Sequence, residues 1–321
     1  MDIATRGRDR LGVGPASAAA VSDRDFVPDA AWFAAARPAF GEASLALGIG
    51  PLEFLLEGLS AAQAARLRDL HRPFVLPRAS RSTVTVRFRR AGVDGFLALP
   101  AGRAENYRME RRERALGHDL WSYEFAMTAG SDWSVAELAL AADRGPVFDR
   151  GLENALRVLT ARAILGFGGL LLHGAGVVHG GRAHVFFGPS GAGKTTVTTF
   201  SPRDLVLSDD LTLIVPSGGG FVACGHPFGM AHHRVPDTRD AFPIAGLYRL
   251  VQAPFVRREA LERPRALGEV AACLPFVMQD PADAGRALEN AIALLRAVPA
   301  SRLSFRKDDA FWGAIEEESR S

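Results

Sequence analysis

Ala183-His-Val-Phe-Phe187-Gly188-Pro189-Ser190-Gly191-Ala192-Gly193-Lys194-Thr195-Thr196 is the most informative stretch of the chain. Residues 188–195 satisfy the pattern G-x-x-x-x-G-K-[ST]. The apolar run Ala183–Phe187 reads as a strand that delivers the loop, and a short helix is expected from Lys194. Each part has a physical reason. Glycines let successive amide N–H groups turn toward phosphate oxygens without a Cβ clash. The start of a helix points its positive dipole end at the same anion. Lys194 is spaced to reach the β- and γ-phosphates, and Thr195 offers a hydroxyl to Mg²⁺. The expected ligands are therefore ATP and Mg²⁺, held by Gly188, Pro189, Ser190, Gly191, Ala192, Gly193, Lys194, Thr195 and Thr196. GTP is disfavoured, because Arg306-Lys307-Asp308-Asp309 fails the base-reading pattern at its first position.

Downstream, Leu205-Val-Leu-Ser208 reads as a strand ending in Asp209-Asp210. Two adjacent carboxylates near a γ-phosphate can divide labour. One holds the metal through water and the other orients or deprotonates an incoming hydroxyl. The plainer alternative is that they open a turn. Upstream, Leu170–Val178 reads as one apolar strand with His173 in its middle. It is joined to Ala183–Phe187 by a His179-Gly-Gly-Arg182 hairpin. His173 is then either a satisfied core histidine or a neighbour of the phosphates. Before that strand, Leu152, Leu156, Leu159, Ala163 and Leu165 recur at helical spacing, and the glycine-rich stretch Gly166 to Gly169 ends the helix. Beyond the carboxylates the pattern gives a Leu211–Pro216 and Phe221–Ala223 hairpin, a helix over Pro281–Ala297, a short strand at Leu303–Phe305 and a helix around Ala310–Glu318.

The N-terminal half carries no catalytic constellation. Residues 1–25 read as a flexible tail. Asp29 to about Phe74 reads as helical, with Ser60 capping Ala61–Leu70 and Pro73 ending it. Ser82–Phe88, Gly95–Leu99, Leu120–Met127 and Ser134–Ala141 read as strands. The basic run Arg108–Arg114 reads as a solvated face. Together residues 26–146 form an expected α+β domain, with substrate recruitment its suggested role, and residues 147–321 a second unit.

Composition bounds the rest. The chain has 321 residues with 48% hydrophobic and 23% charged, enough for a large core. Net charge is +2, so no global field points to nucleic acid or a membrane surface. Only Lys194 and Lys307 are lysines in a chain rich in arginine, which makes the loop lysine more notable. Cys224 and Cys273 read as buried thiols of a reducing compartment. The longest apolar stretch, Ile164–Val178, is interrupted by five glycines and His173. It is too short and broken to span a bilayer. A cytoplasmic protein is expected. His226, His232 and His233 lack a standard metal-ligand spacing. They read as ordinary surface residues or as a loop beside the site, with Arg234 and Arg239 available to an anionic substrate.

Leu171-Leu-His173-Gly-Ala-Gly, Phe187–Thr195 and Leu207-Ser-Asp209-Asp210, in that order and spacing, resemble the kinase domain of the HPr kinase/phosphorylase family, whose fold is shared with ATP-dependent phosphoenolpyruvate carboxykinases. The resemblance covers Asp149 to the C-terminus and is specific from Leu170 to Asp210. It implies an α/β, two-domain protein with a C-terminal P-loop kinase domain of that type and a smaller N-terminal α+β domain. It implies that Asp209 is the general base toward a serine hydroxyl, Asp210 the Mg²⁺ partner with Thr195, and His173 an active-site residue beside Lys194. Where the family carries a Glu/Arg/Gly-rich signature for the phosphorylase reaction, this chain has Cys224–Arg234. The expected activity is thus transfer of the γ-phosphate to serine on a peptide or small protein, such as a ribosomal peptide precursor. The resemblance is also compatible with a homo-oligomer. A non-catalytic ATP-binding sensor and a small-metabolite phosphotransferase are the alternatives. Against the latter, the chain is short for a carboxykinase and has no separate oxaloacetate-binding motif.

Overall fold

The amides of Ser60 and Gln63 show how local sequence becomes local structure. Ser60 Oγ accepts the Gln63 N–H at 3.2 Å, and Gln63 Oε1 accepts the Ser60 N–H at 2.9 Å. This reciprocal capping box starts helix α1, Ala61–Leu70, where the sequence places it. Gln63 also donates to Asp143 O at 2.8 Å, which ties the helix to a distant connection. The computed structural model describes residues 32–33, 38–79, 83–90, 96–97, 108–201, 204–229 and 238–317. The expected tail, most of Gly95–Leu99, and His232, His233 and Arg234 lie outside them.

Around α1 runs an eight-stranded sheet made of β1 (Ala43–Ile49), β2 (Leu52–Leu59), β3 (Val75–Leu76), β4 (Val84–Arg90), β5 (Met109–Arg114), β6 (Gly117–Ser122), β7 (Phe125–Gly130) and β8 (Val135–Leu140). Its order is β3-β1-β2-β4-β8-β7-β6-β5. Ala43–Leu59 thus departs from the helical reading. It folds as a hairpin about Gly50, with Ile49 opposite Leu52 and Leu47 opposite Phe54. Side chains of β2 alternate inward, with Leu52, Phe54 and Leu56 fully buried. Leu120–Met127 is likewise two strands with a turn between them. The basic run 108–114 is no simple solvated face. As edge strand β5 it sends Arg112 and Arg114 to the fully buried Asp119 (2.6 and 2.9 Å), and Arg111 to Asp280 (2.8 Å).

The second half begins with helix α2, Gly145–Ala163, whose apolar face carries Leu152, Leu156 and Leu159. Fully burying each such side chain contributes about 1.5–3 kcal/mol. A 3₁₀ turn, Ile164–Phe167, follows. The second sheet comprises β9 (Leu170–Leu172), β10 (Gly174–His179), β11 (Arg182–Phe187), β12 (Leu205–Ser208), β13 (Thr212–Ser217), β14 (Gly220–Cys224), β15 (Ala241–Gln252), β16 (Arg257–Ala260) and β17 (Ala300–Phe305). The order is β12-β10-β11-β15-β14-β13-β9, with β17 pairing β15 and β16. Helices α3 (Lys194–Thr199), α4 (Arg263–Ala271), α5 (Pro281–Ala297) and α6 (Phe311–Glu317) complete it. The protein is therefore of mixed α/β class.

β11 is buried on both faces, which is why it reads as a continuous apolar run. Ala183, Val185 and Phe187 join one large core, which also takes in the N-terminal sheet and α2. Phe186 joins a second core with Tyr248, Phe305, Phe311 and Trp312. Cys224 and Cys273 are free, buried thiols, as the sequence suggests.

Candidate functional site

Strand register alone gathers the residues that the sequence singles out. Gly174 at the start of β10 lies opposite Phe187 at the end of β11, immediately before the glycine loop. Gly176 lies opposite Ser208 at the end of β12. Since β10 is antiparallel to both neighbours, His173, Gly188 and Asp209 emerge at the same end of three adjacent strands. The sequence reading of one strand over Leu170–Val178 is corrected at this point. The chain breaks at His173, with β9 pairing β13 and β10 pairing β11 and β12. The His173 N–H is taken up by Cys273 O at 2.8 Å.

The loop Gly188–Gly193 leads into the six-residue α3 as the motif requires. Gly193 caps it with φ +112°, a conformation that side-chain-bearing residues rarely adopt. A Cβ there would stand 2.4 Å from Phe305 Cζ. Ser190 and Gly191 are exposed at the tip, whereas Lys194 is buried. The Lys194 ammonium donates to Gly188 O (3.0 Å) and Pro189 O (3.4 Å). Burial lowers its pKa, and Coulombic attraction to Asp210 and Asp209 opposes that fall. Gln252 braces the loop from β15, donating to Gly191 O at 2.7 Å. The Arg249 guanidinium lies against Gly188 and pairs with Glu269 at 2.7 Å. Thr195 is exposed on the first turn of α3, and Thr196 is half-buried.

Asp209 and Asp210 follow β12 in a turn held by Ser208, whose Oγ accepts the Asp210 N–H (3.1 Å) and the Leu211 N–H (3.0 Å). The plainer reading, that Asp209-Asp210 open a turn after the strand, matches this geometry. Asp210 Oδ1 is 3.3 Å from His173 Nε2. Its Oδ2 is 3.3 Å from Arg157 Nη1, on α2. Arg157 also pairs with Glu153 at 2.5 Å, and Glu153 accepts the Gly229 N–H at 2.8 Å. The sequence reading missed Arg157 and Glu153. The available signal was an i, i+4 ion pair set among Leu152, Leu156 and Leu159, where a polar pair has no reason to be buried unless it has a partner.

Of the histidine trio, only His226 is among the described residues, and it is fully buried rather than a surface group. Its Nε2 contacts Leu211 O at 2.8 Å, and its Nδ1 accepts the Phe228 N–H at 3.3 Å. Burial pushes its pKa down to about 4, so it is neutral. With both ring nitrogens engaged it has none left for a metal. Arg239 lies against Gly48 of β1 in the N-terminal sheet. Among the described residues, no group of three or more His, Cys, Asp or Glu side chains could hold a metal. No helix there is long and apolar enough to cross a membrane.

A mixed α/β chain with a strand–glycine loop–helix unit and paired carboxylates at one sheet end is the class these observations define. Residues 152–319 match the family of the SynChlorMet cassette protein ScmC, and the chain, more than half of it covered, belongs to that family. The match spans Glu153, Arg157, His173, the loop and both aspartates. A comparison with curated proteins finds no match.

Proposed function

We propose that this protein is an ATP- and Mg²⁺-dependent kinase that transfers the γ-phosphate to a serine hydroxyl of a peptide or small protein. The observation that carries the reading is the convergence of the loop, Lys194, Asp209, Asp210 and His173 at one end of three paired strands. The resemblance to the HPr kinase/phosphorylase family supports the same assignment and the associated two-domain kinase architecture. Loop amides and the Lys194 ammonium bind the phosphates and stabilise charge that builds up during transfer. Asp210, held by His173, and the exposed Thr195 are oxygen donors suited to a hard cation. Among the described residues no group of three or more His, Cys, Asp or Glu side chains could hold a metal, so triphosphate oxygens would supply the remaining ligands. Mg²⁺, when bound, would be held by Asp210 and Thr195 and would supply charge neutralisation to the phosphates. Asp209 accepts the serine proton as the hydroxyl attacks the γ-phosphate and ADP leaves.

A serine-bearing peptide encoded beside this protein, incubated with it, γ-labelled ATP and Mg²⁺, should become labelled on serine, as located by mass spectrometry. Lys194→Ala should abolish labelling. ATP binding without transfer to any such candidate would refute the kinase reading. It would favour the second reading, a nucleotide-binding module that signals through the N-terminal sheet, with which the site's strands share one core.

A further inference from the structure

Resting on the nucleotide reading above, we propose that Arg157 is a resident counter-cation that keeps Asp210 from taking up a divalent cation until a triphosphate is present. Arg157 is almost fully buried on α2. Its Nη1 stands 3.3 Å from Asp210 Oδ2, while Glu153 fixes Nη2 at 2.5 Å. Glu153 is itself held by the Gly229 N–H at 2.8 Å, so the guanidinium has a second anchor independent of Asp210.

Asp210 already has cationic partners without a ligand. Arg157 Nη1 stands on its Oδ2, and the Lys194 ammonium interacts with both aspartates. A lone divalent cation arriving there meets too few protein ligands among the described residues. It also meets a guanidinium already seated on its carboxylate. A triphosphate changes both terms. It brings negative charge that draws on Lys194, which now spends its ammonium on the loop carbonyls of Gly188 and Pro189. It also brings the missing oxygen ligands. Asp210 can then turn toward the cation while Arg157 keeps Glu153 as its partner, so no buried charge is abandoned. The consequence is an order of assembly in which metal enters with nucleotide and not before it. Arg157 acts as a positioning residue through Asp210 and touches no reacting atom in this scheme.

The test uses the full-length chain and Mn²⁺ as the probe, with free Mn²⁺ read by electron paramagnetic resonance. Without nucleotide, Arg157→Met should bind Mn²⁺ at least about tenfold more tightly than wild type, the scale expected when a unit positive charge leaves a partly buried carboxylate. Arg157→Lys, which keeps the charge, should stay within about threefold of wild type. With a non-hydrolysable ATP analogue the three proteins should converge. A merely structural role would lose binding rather than gain it. If Arg157→Met does not fold, Glu153→Gln/Arg157→Met removes both buried charges and should still bind Mn²⁺ more tightly than wild type, by a smaller factor because a neighbouring carboxylate is lost too. Unchanged or weaker nucleotide-free Mn²⁺ binding in a folded variant overturns the inference alone. A wild-type protein that fails to bind the ATP analogue overturns the nucleotide reading as well.

Discussion

Replacing Gly193 with Ala perturbs the loop in two separable ways. The backbone at 193 has φ +112°, so a side-chain-bearing residue is strained there whatever the space, at a cost of about 1–2 kcal/mol. The new Cβ would also stand 2.4 Å from Phe305 Cζ. Phe305 is almost fully buried and packs edge-on to Phe311 at 6.2 Å, so its ring cannot swing out to solvent. Overpacking of this kind costs about 1–3 kcal/mol. The sum, about 2–5 kcal/mol, is a large part of the roughly 5–15 kcal/mol that a folded protein usually has. The melting temperature of Gly193→Ala should therefore fall by roughly 3–7 °C relative to wild type. Phe305→Leu shortens the obstructing ring, so in that background the cost of Gly193→Ala should shrink by about 1–3 kcal/mol in a double-mutant cycle of urea unfolding. The backbone part should persist. A Gly193→Ala protein as stable as wild type, or a cycle with no coupling, would refute the packing account of the loop.

Two further outcomes follow from single contacts. Ser60→Ala removes half of the capping box and should cost about 1 kcal/mol by urea unfolding, whereas Ser60→Thr should cost much less. His179 lies between Asp204 (2.9 Å) and Glu316 (3.0 Å), stacked on Trp312 at 4.2 Å. Burial pulls its pKa down, but hydrogen bonds to Glu316 and Asp204 outweigh that and leave it raised. A folded pKa above the unfolded one gives stabilisation that is full below about pH 6.5 and is lost as pH rises through the folded value. His179→Gln should accordingly destabilise more at about pH 5.5 than at about pH 8.5; an equal loss at both would contradict the ion-pair description.

Local chemistry made some of this legible in the sequence and tertiary choice hid the rest. The strand–loop–helix unit at Ala183–Thr199 is readable because its glycines and Lys194 serve fixed geometric needs. Ser60 is readable because a cap acts within three residues. Ala43–Leu59 misleads, since Ala, Leu and Glu favour helix in isolation and only pairing with β3 and β4 makes strands of them. The cue was Gly50-Pro51 between two runs, where Gly50 turns at φ +57°. The break at His173 is invisible for a related reason. Leu170–Val178 is apolar throughout, and nothing local says that its halves pair with different strands. Arg157 reaches Asp210 from 53 positions upstream, a contact that only the fold creates.

The most direct measurement of the central claim is a single-turnover comparison of wild type and Asp209→Asn, following γ-labelled phosphate from Mg²⁺·ATP to a serine-bearing peptide while nucleotide binding is monitored in parallel. The account predicts serine labelling by wild type and its loss in Asp209→Asn, with ATP affinity kept within about threefold because the phosphates are held by the loop and Lys194. Undiminished transfer by Asp209→Asn would contradict the base assignment, and a wild-type protein that neither binds ATP nor labels serine would contradict the site as a whole.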